Sequence, residues 1–374
     1  MSKKYKYTRF LIIVNVFVII SLISCQNNPE IQAFDANKAF KLLQTYIIPD
    51  SLDGDLIPGP RDFEILSPNH IYLTTGNTRR ILQTSPPLHE FKQIGRLGLG
   101  PGEYVNPWYI TIDKQMLYYS DGSNMVIKSV RLPGGSLGQK RKTYVIPTTA
   151  ARRNFAVRFP YLAVLNSSTP YVSLYKLEGN GQVKLLKKFL KFEDYYGIVT
   201  RHADGGGIVF DSSGTLYVVP VAPYVISSFR IQEVDDSLAV KRMRQFNLQA
   251  SLHGNKYFIS WSKKKYNHVM QLENRRRLKY LIGAATIVNH CWLIEHENQQ
   301  ALLVDFYTPM EKNKGMHFLH MLQIVSLRDG RIIHTYNSSM SVLGVSQGDV
   351  VYFYRSSIDP EFVKIFSYQW LGYN

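Results

Sequence analysis

One phrase recurs along most of this chain, and it leaves few folds open. An apolar strand meets a short polar turn and returns as a strand rich in tyrosine or valine. The first copy is Phe63-Glu64-Ile65-Leu66, a turn at 67–69, then His70-Ile71-Tyr72-Leu73-Thr74. The second runs from Trp108 to Ile112 and returns from Met116 to Tyr119. A weaker third pairs Phe155–Arg158 with Tyr161–Leu165. The fourth pairs Gly207–Phe210 with Leu216–Val219, the fifth Ala284–Val288 with Cys291–Ile294, and the sixth Val342–Val345 with Val350–Tyr354. Long helical periodicity is scarce between them. Further strands meet at Asn180-Gly181 and Asp329-Gly330, pairs that favour tight hairpins.

Each phrase alone is an antiparallel sheet that cannot bury both faces. Packing six of them radially covers the faces and protects the edges. The anchors Tyr72, Tyr118, Tyr217, Trp292 and Tyr352 are unevenly spaced. With insertions, that spacing brackets the roughly 40–50 residue period of propeller repeats. The expected fold is therefore all-β: a six-bladed β-propeller of four-stranded antiparallel blades over 37–374. Composition agrees, since 45% of residues are apolar and the 25 Tyr and 19 Phe favour strands. The sixth phrase runs out of chain after its third strand, Phe362 to Tyr368. The apolar run Phe40 to Ile48 precedes the first phrase and has no unit of its own. Residues 42–48 are expected to supply the outer strand of the last blade and close the ring. A short helix over 36–43 is the alternative.

The first 24 residues read as an export signal. Lys3, Lys4, Lys6 and Arg9 precede an apolar stretch from Phe10 to Ile23, too short for a membrane-spanning helix. Leu22-Ile23-Ser24-Cys25 resembles the lipobox of bacterial lipoproteins. That resemblance implies acylation of Cys25, cleavage before it, and attachment to a membrane in a Gram-negative envelope. Each buried methylene contributes about 0.8 kcal/mol, so several acyl chains hold firmly. Residues 25–36 then form a polar tether. The formal charge is +16. Removing those four cations leaves about +12, a field that favours anionic lipid or acidic glycan. Export sets nucleic acid aside. With Cys25 acylated, Cys291 has no partner for an internal disulfide.

Residues Ile94-Gly95-Arg96-Leu97-Gly98-Leu99-Gly100-Pro101-Gly102-Glu103-Tyr104 form the most glycine-rich run. It is expected to be a rigid loop between the first two blades, with several glycines at positive φ or in close approach. The run resembles a Gly-x-x-Gly-x-Gly-Pro-Gly-Glu-aromatic segment of the TolB-like six-bladed propeller lipoproteins. The resemblance implies fold and export and carries no catalytic residues with it. A phosphate-binding loop is excluded, because such a loop ends in Gly-Lys-Ser/Thr before a helix. Here Glu103 and a strand follow.

Candidate site residues fall in three groups. His202 and Asp204 precede Gly205-Gly206-Gly207 and the fourth inner strand, where propeller loops line the tunnel mouth. Lys263-Lys264-Lys265 and Arg275-Arg276-Arg277 bracket a basic segment, with Trp261 beside the first run. Such a face suits an acidic glycan or anionic lipid as well as plain solvation. His290 and His296 share strand parity while Glu295 and Glu297 point the other way, which is too few ligands for a metal. No Gly-x-Ser-x-Gly elbow is present, and Cys291 among apolar neighbours reads as an inert buried thiol. The expected function is that of an envelope lipoprotein binding a protein or glycan through its blade-connecting loops, without a cofactor. The alternative is a hydrolase or lyase acting at the tunnel mouth.

Overall fold

The first described strand of the chain is used by its last sheet. The computed structural model describes residues 39–372, apart from 50, 53–54, 57–59, 68–69, 76–77, 87, 89, 101–102, 123–125, 133–141, 147–153, 167–168, 197–204, 235–236, 249–260, 273–284, 313–314, 339, 347–348 and 357–361. Strand β1 (Phe40–Pro49) and a small hairpin, β2 (Ser51–Leu52) and β3 (Asp55–Leu56), lead into blade 1. Blade 1 is β4 (Pro60–Ser67), β5 (His70–Thr75), β6 (Ile81–Thr84) and β7 (Phe91–Gln93). The two-residue strands β8 (Arg96–Leu97) and β9 (Glu103–Tyr104) follow. Blade 2 is β10 (Pro107–Asp113), β11 (Met116–Asp121), β12 (Val126–Arg131) and β13 (Lys142–Val145). Blade 3 is β14 (Phe155–Arg158), β15 (Tyr161–Leu165), β16 (Val172–Leu177) and β17 (Val183–Phe189). Blade 4 is β18 (Gly207–Phe210), β19 (Thr215–Val219), β20 (Val225–Val234) and β21 (Ser237–Asn247). Helix α1 (Lys263–Met270) precedes blade 5, which is β22 (Ile287–His296), β23 (Gln299–Lys312), β24 (Gly315–Ser326) and β25 (Ile332–Ser338). Blade 6 is β26 (Ser341–Val345), β27 (Val350–Ser356), β28 (Phe362–Trp370) and, outermost, β1.

The ring closes as the strand count requires. β1 pairs antiparallel with β28 from Phe40 opposite Trp370 to Pro49 opposite Phe362. The helical alternative does not occur over 40–43, which belong to that strand. Apolar side chains then join neighbouring blades. Phe63, Ile71 and Leu82 of blade 1 meet Tyr352 and Ile365 of blade 6. Tyr72 and Ile81 meet Ile110 and Tyr119 of blade 2, and Tyr118 and Ile127 meet Leu162 and Tyr175 of blade 3. Ala163 and Leu174 meet Leu216 and Phe229 of blade 4. Tyr217 and Tyr224 meet Leu302 and Phe306 of blade 5. Between blades 5 and 6, the Phe40 ring lies 6.2 Å from Tyr336 and 5.9 Å from Phe353. Each fully buried large side chain contributes about 1.5–3 kcal/mol, so the closing strand stabilises both the ladder and the seam.

The glycine run is a self-clamped loop. β8 and β9 pair in parallel, and Gly98 N–H donates to the Tyr104 carbonyl at 3.0 Å. The Glu103 carboxylate accepts from Gly100 N–H at 2.8 Å and from Arg96 Nε at 2.6 Å. Those two bonds hold its carboxyl below the usual range, the backbone bond being the larger cause. Gly95 and Gly98 take positive φ; Gly100 does not. Below the loop, the buried Lys128 ammonium donates to the Glu103 carbonyl and lies 3.5 Å from buried Asp121. Asp121 in turn accepts from Val105 and Asn106 N–H. Here the glutamate that excludes a phosphate site serves as the loop's own clasp.

Candidate functional site

The innermost strand of each blade borders the channel, and its first residues set the chemistry there. β4, β10, β22 and β26 each shift register near their beginning: between Pro60 and Asp62, Pro107 and Ile110, Val288 and His290, and Val342 and Gly344. Such bulges re-aim side chains beside functional sites. At this leading end lies a chamber of about 180 Å³, whose lining includes Asp62, Glu64, Tyr109, Asn154, His290 and Trp292. It shares Glu64, Ile112, Val157 and Phe210 with a second chamber of about 440 Å³ toward the trailing end of the strands. The second chamber adds Asp113, Lys114, Arg158, Asp211 and Glu295.

In the second chamber the acids other than the shared Glu64 are occupied with turns. Asp113 Oδ2 accepts from Phe159 N–H at 2.9 Å. Asp211 accepts from Thr215 N–H, Ser213 Oγ and Tyr217 Oη. Glu295 accepts from Gln300 Nε2. The leading chamber differs. Asp62 Oδ2 accepts from Ile110 N–H at 2.7 Å, bridging blades 1 and 2. Burial pushes its carboxyl up to about 7, against the pull of the Ile110 and Phe63 backbone bonds. Glu64, two residues on and on the same side of β4, makes no hydrogen bond or ion pair among the described residues. Burial, then the charge of Asp62, raises its carboxyl well above the ordinary range.

Asn154 is 2% exposed. Its Nδ2 donates to the Gly206 carbonyl and to His290 Nδ1, the latter at 2.7 Å. An oxygen in that place would face the Gly206 carbonyl, so the orientation of the amide is forced. Asn154 Oδ1 is left buried without a hydrogen-bond partner. His290 Nδ1 accepts this bond, so the neutral ring carries its proton on Nε2. Burial lowers the imidazole to about 4, and the ring stands edge-on to Trp292 at 4.4 Å. The triple glycine explains how this wall comes together. Gly206 has φ +82, and a Cβ on Gly207 would overlap the Cys291 sulfur and lie 2.6 Å from its backbone nitrogen. Only bare backbone lets β18 approach β22 this closely. Cys291 is buried, and burial raises its thiol further from ionisation.

Beside the chamber, a second polar chain links blades 5 and 6. Ser341 Oγ lies 3.1 Å from His320 Nε2, and His320 Nδ1 lies 3.2 Å from Asp305 Oδ1. Buried Asp305 also accepts from Asn289 Nδ2 at 2.8 Å. Neither chamber is lined by Ser341, His320 or Asp305.

The residues singled out from sequence are distributed as follows. Cys25, His202, Asp204, Arg275, Arg276 and Arg277 lie outside the described residues. Lys263, Lys264 and Lys265 form the first turn of α1. Ser262 caps that helix, its Oγ accepting from Lys265 N–H at 3.3 Å. Lys263 and Lys264 are exposed, whereas Lys265 is half-buried and desolvation lowers its ammonium. Trp261 is a correction: it is 5% exposed, packed with Val221, Ala222, Val269 and Ala285. Its ring sits between Val269 of α1 and Val221 and Ala222 of blade 4, so it offers no face to a sugar. His290 and His296 also part company. His296 Nδ1 lies 2.8 Å from Asp349 Oδ2, at the far end of β22 from the chamber. Among the described residues no group of three or more His, Cys, Asp or Glu converges on a metal position. No described helix is long and apolar enough to cross a membrane.

The architecture is that of a six-bladed β-propeller, and structural comparison agrees. The chain is similar to a candidate exported protein from Bacteroides fragilis NCTC 9343, with a TM-score of 0.60 at 12% identity, over 91% of this chain and 97% of that one. A streptogramin B lyase aligns at TM-score 0.46 and 9% identity, over 87% and 98% of the two chains. A protein of unknown function from Bacteroides thetaiotaomicron VPI-5482 aligns at 0.46 and 9%, over 87% and 76%. At these identities the likeness shows the fold alone, and the two scores below 0.5 carry no argument. No protein-family model and no curated protein matches the chain.

Proposed function

We propose that this protein is a lipid-anchored envelope β-propeller of the TolB-like kind that binds a protein or glycan ligand at the leading end of its channel. The observation that carries this reading is the leading chamber. It joins a buried carbonyl on Asn154 and a carboxyl on Glu64, neither with a hydrogen-bond partner among the described residues, and an aromatic wall at Trp292. Groups of this kind cost stability when left unmade, and a ligand that satisfies them recovers that cost. The exposed Lys263 and Lys264 on α1 offer a second contact for an acidic ligand. Acylation at Cys25 would hold the propeller at a membrane surface.

The test is capture from solubilised envelope by the full-length protein, with mass spectrometry of co-purified proteins and glycans. Thr111→Phe places a ring in the chamber wall. If capture by this variant, folded and melting like wild type, equals that of the wild type, the chamber is not the binding site.

A hydrolase is the second reading, favoured by one observation. Ser341, His320 and Asp305 follow the order nucleophile, base and orienting acid. Labelling by a fluorophosphonate that disappears in Ser341→Ala would support it. Absence of labelling in wild type leaves the three residues as a clamp between blades.

A further inference from the structure

Resting on the reading of the leading chamber as a ligand site, we propose that the group it receives is a primary ammonium carried by that ligand. The argument is one of unmatched hydrogen-bonding capacity. Asn154 Oδ1 is an acceptor whose orientation is forced by the Gly206 carbonyl, and it has no donor. Glu64 has two carboxyl oxygens and no partner among the described residues. Asp62 is already held by the backbone N–H groups of Ile110 and Phe63, so the open acceptors are those of Asn154 and Glu64. An ammonium carries three donors and no acceptor, which matches that set in kind. No lysine or arginine lines this chamber among the described residues; Lys114 and Arg158 line the second one. Two carboxyls therefore face each other's field without a cation, and a ligand cation would supply one. Trp292 and Tyr109 provide the ring faces and edges that a cation and its apolar stem can use. His290 contributes a single N–H, which suits an oxygen elsewhere on the ligand and does not compete for the ammonium.

The titratable groups facing this space are Asp62, Glu64, His290, Tyr109 and the thiol of Cys291. Of these, the carboxyls gain most from a nearby positive charge, because they carry charge only when deprotonated. Ammonium binding should therefore release a proton, whereas binding of a neutral molecule of the same shape should not.

The experiment is calorimetric titration of the full-length protein in detergent with three probes: benzylammonium, its neutral counterpart benzyl alcohol, and benzyltrimethylammonium, which keeps the charge but has no N–H. Repeating it in buffers of different ionisation enthalpy counts released protons. Benzylammonium should bind at least tenfold more tightly than either of the others, with proton release. Glu64→Gln should weaken it at least tenfold and reduce the release, whereas Glu295→Gln in the second chamber should not. Equal binding of benzyl alcohol overturns the ammonium assignment and leaves the chamber a ligand site. Equal binding of the quaternary ion overturns the need for N–H donors. If no probe binds while envelope capture still depends on Thr111, the ligand is of another class and the inference fails alone. If capture is also indifferent to Thr111→Phe, the site itself is wrong. The three probes compare on wild type, so the outcome does not depend on any variant folding.

Discussion

The channel carboxyls and imidazole should leave opposite marks on the pH dependence of folding. Asp62 has a folded pKa near 7 against 3.8 when free. Between those values the folded protein keeps a proton that the unfolded chain has lost, so stability falls as pH rises through that window. At about 1.36 kcal/mol for each step of one in pKa, the rise from 3.8 to about 7 gives about 4 kcal/mol as an upper bound above pH 7. Asp62 is only partly buried, which reduces this, and roughly 2 kcal/mol is a fair lower figure. Glu64 acts with the same sign. His290 acts with the opposite one, because its folded pKa is near 4 against 6.5 when free. The folded ring stays neutral where the unfolded ring is charged, so its contribution is intact above 6.5 and is lost as pH falls toward 4. In the wild type the slopes oppose each other below 6.5, and only the carboxyls act above it. Asp62→Asn keeps an oxygen for Ile110 N–H and removes the charge. It should be more stable than wild type above pH 7 by roughly 2–4 kcal/mol. Below 6.5 its stability should fall with pH less than that of the wild type, because only Glu64 then opposes the imidazole. Urea unfolding of the full-length protein from about pH 4 to pH 8 at fixed ionic strength measures both curves. A variant less stable than wild type at pH 8 would refute the reasoning, because it would mean that the channel stabilises the Asp62 carboxylate.

Three further outcomes follow from the packing and the signal. Gly207→Ala should lower stability by about 1–3 kcal/mol, read as a drop in Tm. Cys291→Ala should restore only part, since the backbone nitrogen of 291 remains within 2.6 Å of the added carbon. Phe40→Ala, at a side chain 2% exposed in the seam between blades 5 and 6, should cost about 3–5 kcal/mol by denaturant unfolding; a loss under about 1 kcal/mol would show that β1 does not hold the ring. Cys25→Ala should abolish metabolic labelling with a clickable fatty acid, and equal labelling of the variant would disprove the anchor.

The fold is legible in the sequence because strand counting and turn chemistry are local. Phe362 to Tyr368 lacks a fourth partner and Phe40 to Ile48 lacks a sheet, so each is the natural complement of the other, and they pair. Helix α1 is hidden for a physical reason. Three lysines in its first turn oppose the helix dipole, and beyond the local Ser262 cap what holds it is tertiary: the packing of Val269 and the buried Trp261. The same burial makes a tryptophan that reads as a stacking surface into a pin. The chamber is less legible still. Alternation of Asp62 and Glu64 with Phe63 and Ile65 marks a polar side of β4, but polar sides usually face solvent. Nothing in the residues around Asn154 indicates that its amide meets Gly206 and His290, which are 52 and 136 positions away. The triple glycine is a signal that could reveal it: consecutive bare residues before an inner strand announce a close approach.

The inner strands also explain why unsatisfied groups collect at one end of the channel. Each blade stands edge-on to the axis, so its first strand presents one ladder edge to the channel, and those backbone groups need partners. Much of the polar lining meets that need. Asp62 takes Ile110 N–H, Asn154 Nδ2 takes the Gly206 carbonyl, and Asp113 takes Phe159 N–H. A polar channel is therefore no sign of a ligand in itself, because the architecture demands polar groups there. What matters is capacity beyond that demand. At the trailing end the acids that belong to the second chamber alone, Asp113, Asp211 and Glu295, are used up by backbone and side-chain bonds of their own. At the leading end there are more oxygens than the exposed edges require: Asn154 Oδ1, just before β14, and Glu64, two residues past the register shift in β4, are the remainder. A fold selected for stability alone would be expected to fill those positions with apolar side chains of similar size, at no loss of hydrogen bonding. Their presence at the bulged end of the strands is the physical reason for placing the ligand there.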